Sequence, residues 1–160
     1  MVRLIAALDE KRGIATDAGI PWHLPTDQQF FVDQTTDGLI LMGANTYREF
    51  EKPMHGRTNY VVTHEQGPLL SGFEAVHDVD RFFNEHAGEL IQDIGGAHLF
   101  SQTLRYADEL ILTQVYADFH CTKFFPEYEH AFELVQHSEM LTENGTSFRF
   151  ETWHRKSSHD

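Results

Sequence analysis

The sequence is poor in features that define several large protein classes. Its single cysteine, Cys121, excludes an internal disulfide, and no apolar run reaches the roughly 20 residues of a membrane-spanning helix. The N-terminus lacks the basic start and cleavage-site pattern of a signal peptide. Basic residues are scarce, with 12 Lys and Arg against 25 Asp and Glu and a formal net charge of -13. Because surfaces that bind nucleic acids or anionic membranes are basic, we expect a soluble, cytoplasmic protein with neither kind of partner.

Two further absences narrow the chemistry. The 11 histidines are scattered, without the close spacing of a zinc site such as His-Glu-x-x-His, so no metal site is expected. No linker, internal repeat or low-complexity segment interrupts the chain. A chain of 160 residues can bury a core without disulfides or metals. Residues 1–160 are therefore predicted to form one domain.

Short apolar runs that alternate with helical patterns indicate an α/β fold. The main predicted strands lie at residues 2–8, 38–43, 56–63, 74–76, 90–94 and 108–116, and the predicted helices begin at residues 25, 44, 78 and 98. Two long strand-like runs, 131–141 and 147–155, flank Asn144-Gly145, a typical hairpin turn. We predict a three-layer domain whose central sheet is mixed, mostly parallel and of about eight strands. Helices flank this sheet, and the chain ends in an antiparallel hairpin.

The most informative stretch runs from residue 20 to residue 31. Pro25 suits the first turn of a helix, which places Asp27 in that turn. Residues four apart share a helix face, so Asp27, Phe31 and Thr35 form one stripe. One interpretation is that Asp27 complements the helix dipole and Phe31 belongs to the core. The other is a carboxylate in an aromatic cleft, which binds a planar, amidine-like heterocycle through paired hydrogen bonds.

Glycines mark two places where a strand meets a helix. Gly43 follows one predicted strand, and Gly95-Gly96 follows another. Such junctions let a cofactor approach the backbone and present amides to a phosphate, although neither is the Gly-x-Gly-x-x-Gly fingerprint. Residues 9–19 are polar and without periodicity, which predicts an irregular loop that acts as a lid. Arg57 is either a solvated charge or a clamp for a carboxylate.

The whole chain resembles the dihydrofolate reductase family, of the bacterial chromosomal type. The motifs that carry the resemblance are Leu4-Ile-Ala-Ala-Leu8, Pro21-Trp22-x-Leu24-Pro25-x-Asp27, Met42-Gly43-x-x-Thr46, Pro53-x-x-Gly56-Arg57, Ile94-Gly95-Gly96, Thr113 and Phe125-Pro126-x-Tyr128. The resemblance implies reduction of 7,8-dihydrofolate to tetrahydrofolate by NADPH. In this family the hydride goes to C6 of the pterin and a solvent-derived proton goes to N5.

The resemblance also implies the site residues. The catalytic residues would be Asp27, Trp22, Thr113 and Ile20. The substrate would contact Ile5, Asp27, Phe31, Phe50, Lys52, Met54, Arg57, Ile94 and Thr113, with Arg57 on the α-carboxylate of the glutamate tail. The coenzyme would contact Ala6, Ala7, Ile14, Gly19, Ile20, Gly43, Asn45, Thr46, Thr63, His64, His77, Gly95, Gly96, Ala97, His98, Leu99 and Phe100.

Several positions depart from the family pattern. Ala44 stands where a basic residue is usual, which leaves use of NADH open beside NADPH. Phe100 replaces a tyrosine beside the nicotinamide, Cys121 a common glycine and Ile20 a Met or Leu. Two alternatives remain at this stage: a riboflavin-pathway-type pyrimidine reductase of the same fold, and a folate-binding paralogue that has lost turnover. A monomer is expected, because that is the default in this family.

Overall fold

The computed structural model describes residues 1–157 and contains, within them, eleven β-strands and four α-helices. The strands are β1 Val2–Leu8, β2 Gly13–Ala15, β3 Leu39–Gly43, β4 Thr58–Val62, β5 Phe73–Val76, β6 Ile91–Asp93, β7 Glu109–Val115, β8 Lys123–Phe124, β9 Phe132–His137, β10 Leu141–Glu143 and β11 Thr146–Arg155. The helices are α1 Pro25–Gln34, α2 Ala44–Tyr47, α3 Val79–Glu85 and α4 Ala97–Thr103, and a 3-10 turn, Leu104–Tyr106, follows α4. Within this range no helix is long and apolar enough to cross a membrane.

Nine strands form one mixed sheet. Its order is β10-β11-β7-β1-β6-β3-β4-β5, with β9 also paired to β11. The neighbours from β7 to β5 run parallel, whereas β11 pairs antiparallel with β7, β9 and β10. The predicted fold class is confirmed: a mostly parallel central sheet flanked by helices, with an antiparallel end.

The C-terminal hairpin turns at the predicted dipeptide. Asn144 and Gly145 have φ values of 49° and 75°, which suit the two central positions of a type I′ turn. The predicted long strand 131–141 is instead divided into β9 and β10, and both pair with β11. Ser138 lies at the break, where its Oγ accepts a hydrogen bond from the Phe150 amide at 2.9 Å. A side chain thus replaces the backbone partner and interrupts the strand.

Helices α3 and α4 cover part of the sheet with apolar side chains. Leu99 of α4 and Phe82 and Phe83 of α3 pack with Leu41 and Ile91 of the sheet. Burial of an aliphatic or aromatic side chain of this size contributes roughly 1.5–3 kcal/mol. The Asp78 side chain caps α3 by accepting a hydrogen bond from the Arg81 amide, as a helix start requires. These contacts fix α3 and α4 against the parallel strands.

The segment after β1 is more ordered than the sequence predicts. The prediction of an irregular loop at residues 9–19 is wrong, because β2 lies inside this segment and pairs with β8. The buried Asp9 carboxylate organises this segment: its Oδ1 accepts from the Lys11 and Gly13 amides and its Oδ2 from the Phe119 amide. The sequence did not reveal this order because Phe119 and β8, which help to supply it, lie more than 100 residues away in the chain.

Candidate active site

A cleft of about 1350 Å³ opens above the carboxyl ends of the parallel strands. It is lined by residues from β1, β3, β4 and β7, by the segment that follows β6, and by α1 and α4. Open α/β sheets bind ligands in this position, outside the carboxyl ends of their strands. The lining includes Ile5, Ala6, Ala7, Ile14, Ile20, Asp27, Phe31, Gly43, Asn45, Thr46, Phe50, Thr63, His64, His77, Ile94, Gly96, Ala97, His98, Leu99, Phe100 and Thr113. Most of the residues implied by the family resemblance thus meet in one cleft.

Asp27 is the acidic group on the α1 side of the cleft. Thr113, on β7, donates a hydrogen bond from Oγ1 to Asp27 Oδ1 at 2.6 Å. Within residues 1–157 no hydrogen bond is made to Asp27 Oδ2, so this oxygen is left for a ligand. Burial raises the pKa of Asp27 above its ordinary value; the Thr113 hydroxyl opposes this rise, and the charge of Glu143 adds to it. The carboxyl group is therefore partly buried and has one hydrogen-bond partner within the described residues.

Replacing Thr113 with valine is expected to raise the pKa of Asp27 further. The hydroxyl stabilises the charged carboxylate by donating to it, and valine keeps the shape without the donor. The measurement is the pH titration of the Asp27 carboxyl carbon by NMR in the free protein. Thr152→Val, on the neighbouring strand β11, is the matched control. An unchanged Asp27 midpoint in Thr113→Val would contradict the geometry.

Apolar side chains form the walls next to Asp27. Phe31 and Phe50 line the cleft, and Ile20 lies at its mouth with 65% of its surface exposed. Met54, like Phe50, packs against the cluster of Ile40, Met42, Val61 and Phe73. Lys52 lies on the surface. The walls can hold a flat, largely apolar ring system whose polar edge faces Asp27.

Arg57 is held by the end of helix α1. Its guanidinium donates from Nε to the Thr35 carbonyl at 2.7 Å, from Nη1 to the His55 carbonyl at 2.9 Å and from Nη2 to the Val32 carbonyl at 3.3 Å. A guanidinium has five N–H donors, so these three bonds leave two, one on each terminal nitrogen. These two remaining N–H groups can bind the two oxygens of a carboxylate.

Two glycine junctions meet across the floor of the cleft. The Gly43 amide donates to the Gly95 carbonyl at 2.7 Å, which joins the end of β3 to the loop after β6. A Cβ on Gly96 would have only Thr46 Oγ1 within contact range, at 3.7 Å, so the cleft reaches its backbone. Gly95 has φ +91°, and a Cβ there would lie 2.5 Å from the Phe100 ring. The floor is therefore bare backbone that a bound group can approach closely.

Titratable side chains lie at the far end of the cleft. His64 follows β4 and His77 follows β5, and both are exposed and line the cleft. The Thr63 carbonyl lies 2.8 Å from His77 Nδ1, which orients that imidazole. His98 and Ala44 line the cleft as well. Two histidines that follow neighbouring strands thus line the same cleft.

Six residues implied by the resemblance are not among those that line the cleft: Lys52, Met54 and Arg57, described above, and Trp22, Gly19 and Gly95. Trp22 is buried against Phe119, with ring centroids 5.3 Å apart, in the cluster that contains Cys121. Gly19 closes a small turn with Thr16, whose carbonyl accepts its amide at 3.1 Å. Gly95 underlies the floor through its carbonyl. Trp22, Gly19 and Gly95 thus lie outside the cleft lining.

The cleft also contains polar residues that sequence analysis did not single out. They include Ser101, Gln102 and Arg105, which follow His98 by three, four and seven positions. This spacing is that of one helix face, and it was the signal available in the sequence. Lys123 reaches the cleft because β8 pairs with β2. No local pattern marks Lys123.

Comparisons with known proteins agree on one family. A family model described as "Dihydrofolate reductase" matches residues 1–155. The chain is 31% identical over 162 residues to a dihydrofolate reductase of Bacillus subtilis, covering 99% of this chain and 96% of that protein. It is 36% identical over 129 residues to one of Haemophilus influenzae, covering 78% of each. The solved structure of dihydrofolate reductase from Enterococcus faecalis, complexed with NADP(H) and RAB-propyl, matches with a TM-score of 0.88 at 26% identity, covering 98% of this chain and 97% of that one. The chain belongs to the dihydrofolate reductase family.

Proposed function

We propose that this protein reduces 7,8-dihydrofolate to 5,6,7,8-tetrahydrofolate with NADPH and so supports one-carbon metabolism and the synthesis of thymidylate and purines. The observation that carries the proposal is the Asp27–Thr113 pair, set in a cleft whose floor joins Gly43 of β3 to the glycines that follow β6. An acid of this kind suits the amidine-like edge of a pterin. The glycine floor suits a flat group that lies against backbone.

The substrate is held at both of its ends. Asp27 binds the pterin N3 and 2-amino group through two charge-assisted hydrogen bonds, for which Oδ2 and the second lone pair of Oδ1 are available. Phe31, Phe50 and Met54 enclose the benzoate ring, and the two free N–H groups of Arg57 bind the glutamate tail. Ile5 and Ile94 contribute backbone contacts, and Lys52 lies near the tail. The acidic surface of the protein makes such a local cation necessary for an anionic substrate.

The coenzyme fits the other half of the cleft. Ala6, Ala7, Ile14, Ile20 and Phe100 enclose the nicotinamide half, and the glycine junctions with Asn45, Thr46, Ala97, His98 and Leu99 follow its backbone. When bound, NADPH supplies the hydride for C6 of the pterin. The residues contribute position: they hold two flat rings in contact and exclude water, which removes most of the entropic cost of the encounter. Ile20 lines the cleft and is largely exposed, so closure of its loop over the bound coenzyme would exclude water.

The remaining catalytic groups act through orientation and charge. The Asp27 carboxylate polarises the pterin ring, and Thr113 fixes the carboxylate. Asp27 binds at the opposite edge of the ring from N5, so N5 takes its proton from solvent. Trp22, buried next to this region, positions a water for that step. Two rival functions are less well supported. A pyrimidine reductase needs neither the Asp27 and Trp22 couple nor Arg57, and only Ala44 and Phe100 point toward a paralogue without turnover.

A single assay tests the proposal. Purified protein is mixed with dihydrofolate and NADPH, then with NADH, and loss of the reduced nicotinamide absorbance is followed. Steady turnover with NADPH is expected. Tight methotrexate binding without turnover would identify the impaired paralogue, and activity only with a ribosylamino-pyrimidine phosphate would identify the pyrimidine reductase.

Coenzyme preference is expected to depend on pH through His64 and His77. The 2′-phosphate of NADPH is a dianion, and protonated imidazoles attract it where the family usually places fixed cations. NADPH affinity should strengthen as the pH falls from about 8 to 6, over the titration range of histidine, and NADH should gain less. The measurement is the dissociation constant of each coenzyme across this range, in wild type and in His64→Gln and His77→Gln. Parallel profiles for the two coenzymes would refute this prediction.

We also propose that residues 1–160 act as a single domain, as a monomer in the cytoplasm. The single-domain proposal is supported by the sheet, which draws strands from Val2 to Arg155 into one layer. Residues 158–160 lie outside the described part. Sedimentation of the purified protein tests the monomer, and a fluorescent fusion in the source cell tests the location.

A further inference from the structure

Asp93 is a buried acid for which the proposed reaction has no use. It is the last residue of β6, two positions before Gly95 of the cleft floor, and its exposure is 0%. Its neighbours across the sheet are Leu4 and Leu41, both fully buried. Desolvation of a charged carboxylate in such surroundings is strongly unfavourable unless a counter-charge compensates it. A group of this kind needs either a cation or a proton.

No cation supplies that compensation in the described part of the chain. The titratable groups on the elements around Asp93 are Arg3 on β1, His98 on α4, Arg105 and Tyr106 after α4, and Asp80, Arg81 and Glu85 on α3; β3 carries none. Arg3 pairs with Glu109 and Arg105 with Asp80. Within residues 1–157 no ion pair is made by Asp93, and its hydrogen-bond partners are the Gly95 amide and the Thr103 hydroxyl.

The hydrogen bonds around Thr103 favour a proton on Asp93. Thr103 Oγ1 lies 2.5 Å from Asp93 Oδ2 and 2.9 Å from the Leu99 carbonyl oxygen. The hydroxyl has one hydrogen and both neighbours are oxygens, so a charged carboxylate would compete with the carbonyl for it. A neutral carboxyl removes the conflict: Asp93 donates to Thr103, Thr103 donates to Leu99, and Asp93 Oδ1 still accepts from the Gly95 amide at 3.0 Å.

We propose that Asp93 is a neutral carboxylic acid and a positioning residue, whose hydrogen bonds to Thr103 and Gly95 hold α4 and the glycine floor in place for the coenzyme. The inference rests on the proposed function only where it assigns this floor to the coenzyme. Loss of the proton leaves a buried charge beside the floor, and the lowest-cost response is an outward shift of α4 toward water. Coenzyme affinity therefore falls when Asp93 ionises.

The pH range follows from the environment of the group. Burial raises the pKa of Asp93 from its ordinary 3.8 to about 7, against the smaller opposing effects of Thr103 and Gly95. A folded-state pKa above the unfolded value means that the folded protein binds this proton more tightly. The stability contribution of Asp93 is therefore lost progressively as pH rises from about 4 to about 7, and the loss is complete above this range.

The first experiment measures the protonation of Asp93 and does not depend on enzyme activity. The carboxyl carbon of Asp93 is followed by NMR from about pH 5 to 9, and the melting temperatures of wild type and Asp93→Asn are compared over the same range. Asparagine keeps both hydrogen bonds without a titrating proton. We expect a midpoint near 7 and a melting-temperature difference that moves in favour of the variant as pH rises. The proposal would be overturned if the Asp93 carboxylate were already charged at the lowest pH measured, or if the melting-temperature difference did not change with pH.

The second experiment measures the coenzyme. NADH is the probe, because it lacks the 2′-phosphate and so is insensitive to any histidine contact with that group. Wild-type affinity should fall several-fold between about pH 6 and 9, Asp93→Asn should show no such fall, and Glu85→Gln, an exposed acid on α3, should follow wild type. Parallel profiles for wild type and Asp93→Asn would reduce Asp93 to a structural role and overturn the proposal.

A pair of variants at Thr103 tests the proposal independently if Asp93→Asn fails to fold. Thr103→Ser retains the hydroxyl and should keep wild-type NADH affinity, whereas Thr103→Val removes it and should weaken binding. Equal affinity in both variants would overturn the proposal. Absence of dihydrofolate turnover would refute the proposed function instead and would leave the proton on Asp93 unchanged.

Discussion

Asp27→Asn is expected to lower turnover at neutral pH by about 10²–10⁴-fold while the fold stays intact. The amide keeps the shape of the side chain and its contact with Thr113, but it loses the charge that polarises the substrate ring. Reaction then relies on substrate that is already protonated in solution. Part of the activity should therefore return as the pH falls. The measurement is the pH profile of kcat with dihydrofolate and NADPH.

A matched control separates the role of Asp27 from a general effect of charge on α1. Asp33 lies on the same helix, is exposed, and accepts a hydrogen bond from Gln29. Asp33→Asn removes the same charge and should leave kcat near the wild-type value. If Asp27→Asn matched wild type at pH 7, the proposed role of this residue would be wrong.

The second large effect is expected for Arg57→Ala, which should raise the dihydrofolate KM strongly. Truncating one partner of a desolvated ion pair costs roughly 2–5 kcal/mol, equivalent to about 30-fold to several-thousand-fold in affinity. Binding of a pterin that lacks the glutamate tail should change little, because this ligand has no carboxylate for Arg57. The measurement compares both ligands in the wild type and the variant.

Two further variants define what Arg57 contributes. Arg57→Lys keeps the charge without the fork that bonds three carbonyls, so it should recover only part of the affinity. Arg81→Ala removes an exposed arginine on α3, paired with Glu85, and should leave both ligands unaffected. Equal losses for the tailed and tail-free ligands in Arg57→Ala would assign Arg57 to the structure of α1 instead.

Positions governed by local chemistry were predictable from the sequence. Pro25 begins α1, Asp78 caps α3, and Asn144-Gly145 forms the last turn. In each case the preference lies within the residue and its immediate neighbours, so distant contacts are not needed to express it. The family resemblance then supplied the long-range part of the site, such as Thr113 facing Asp27 across 86 positions.

Tertiary structure alone decided the features whose partners are far apart. The pairing of β2 with β8 orders the loop over the cleft and brings Lys123 to its edge. Asp93 looks like an ordinary polar residue at a strand end, and only its burial between Leu4 and Leu41 makes a neutral acid the stable form. The physical reason is the same in each case. The energy of a buried polar group depends on the partners and solvent that the folded chain leaves to it, and no stretch of sequence specifies these.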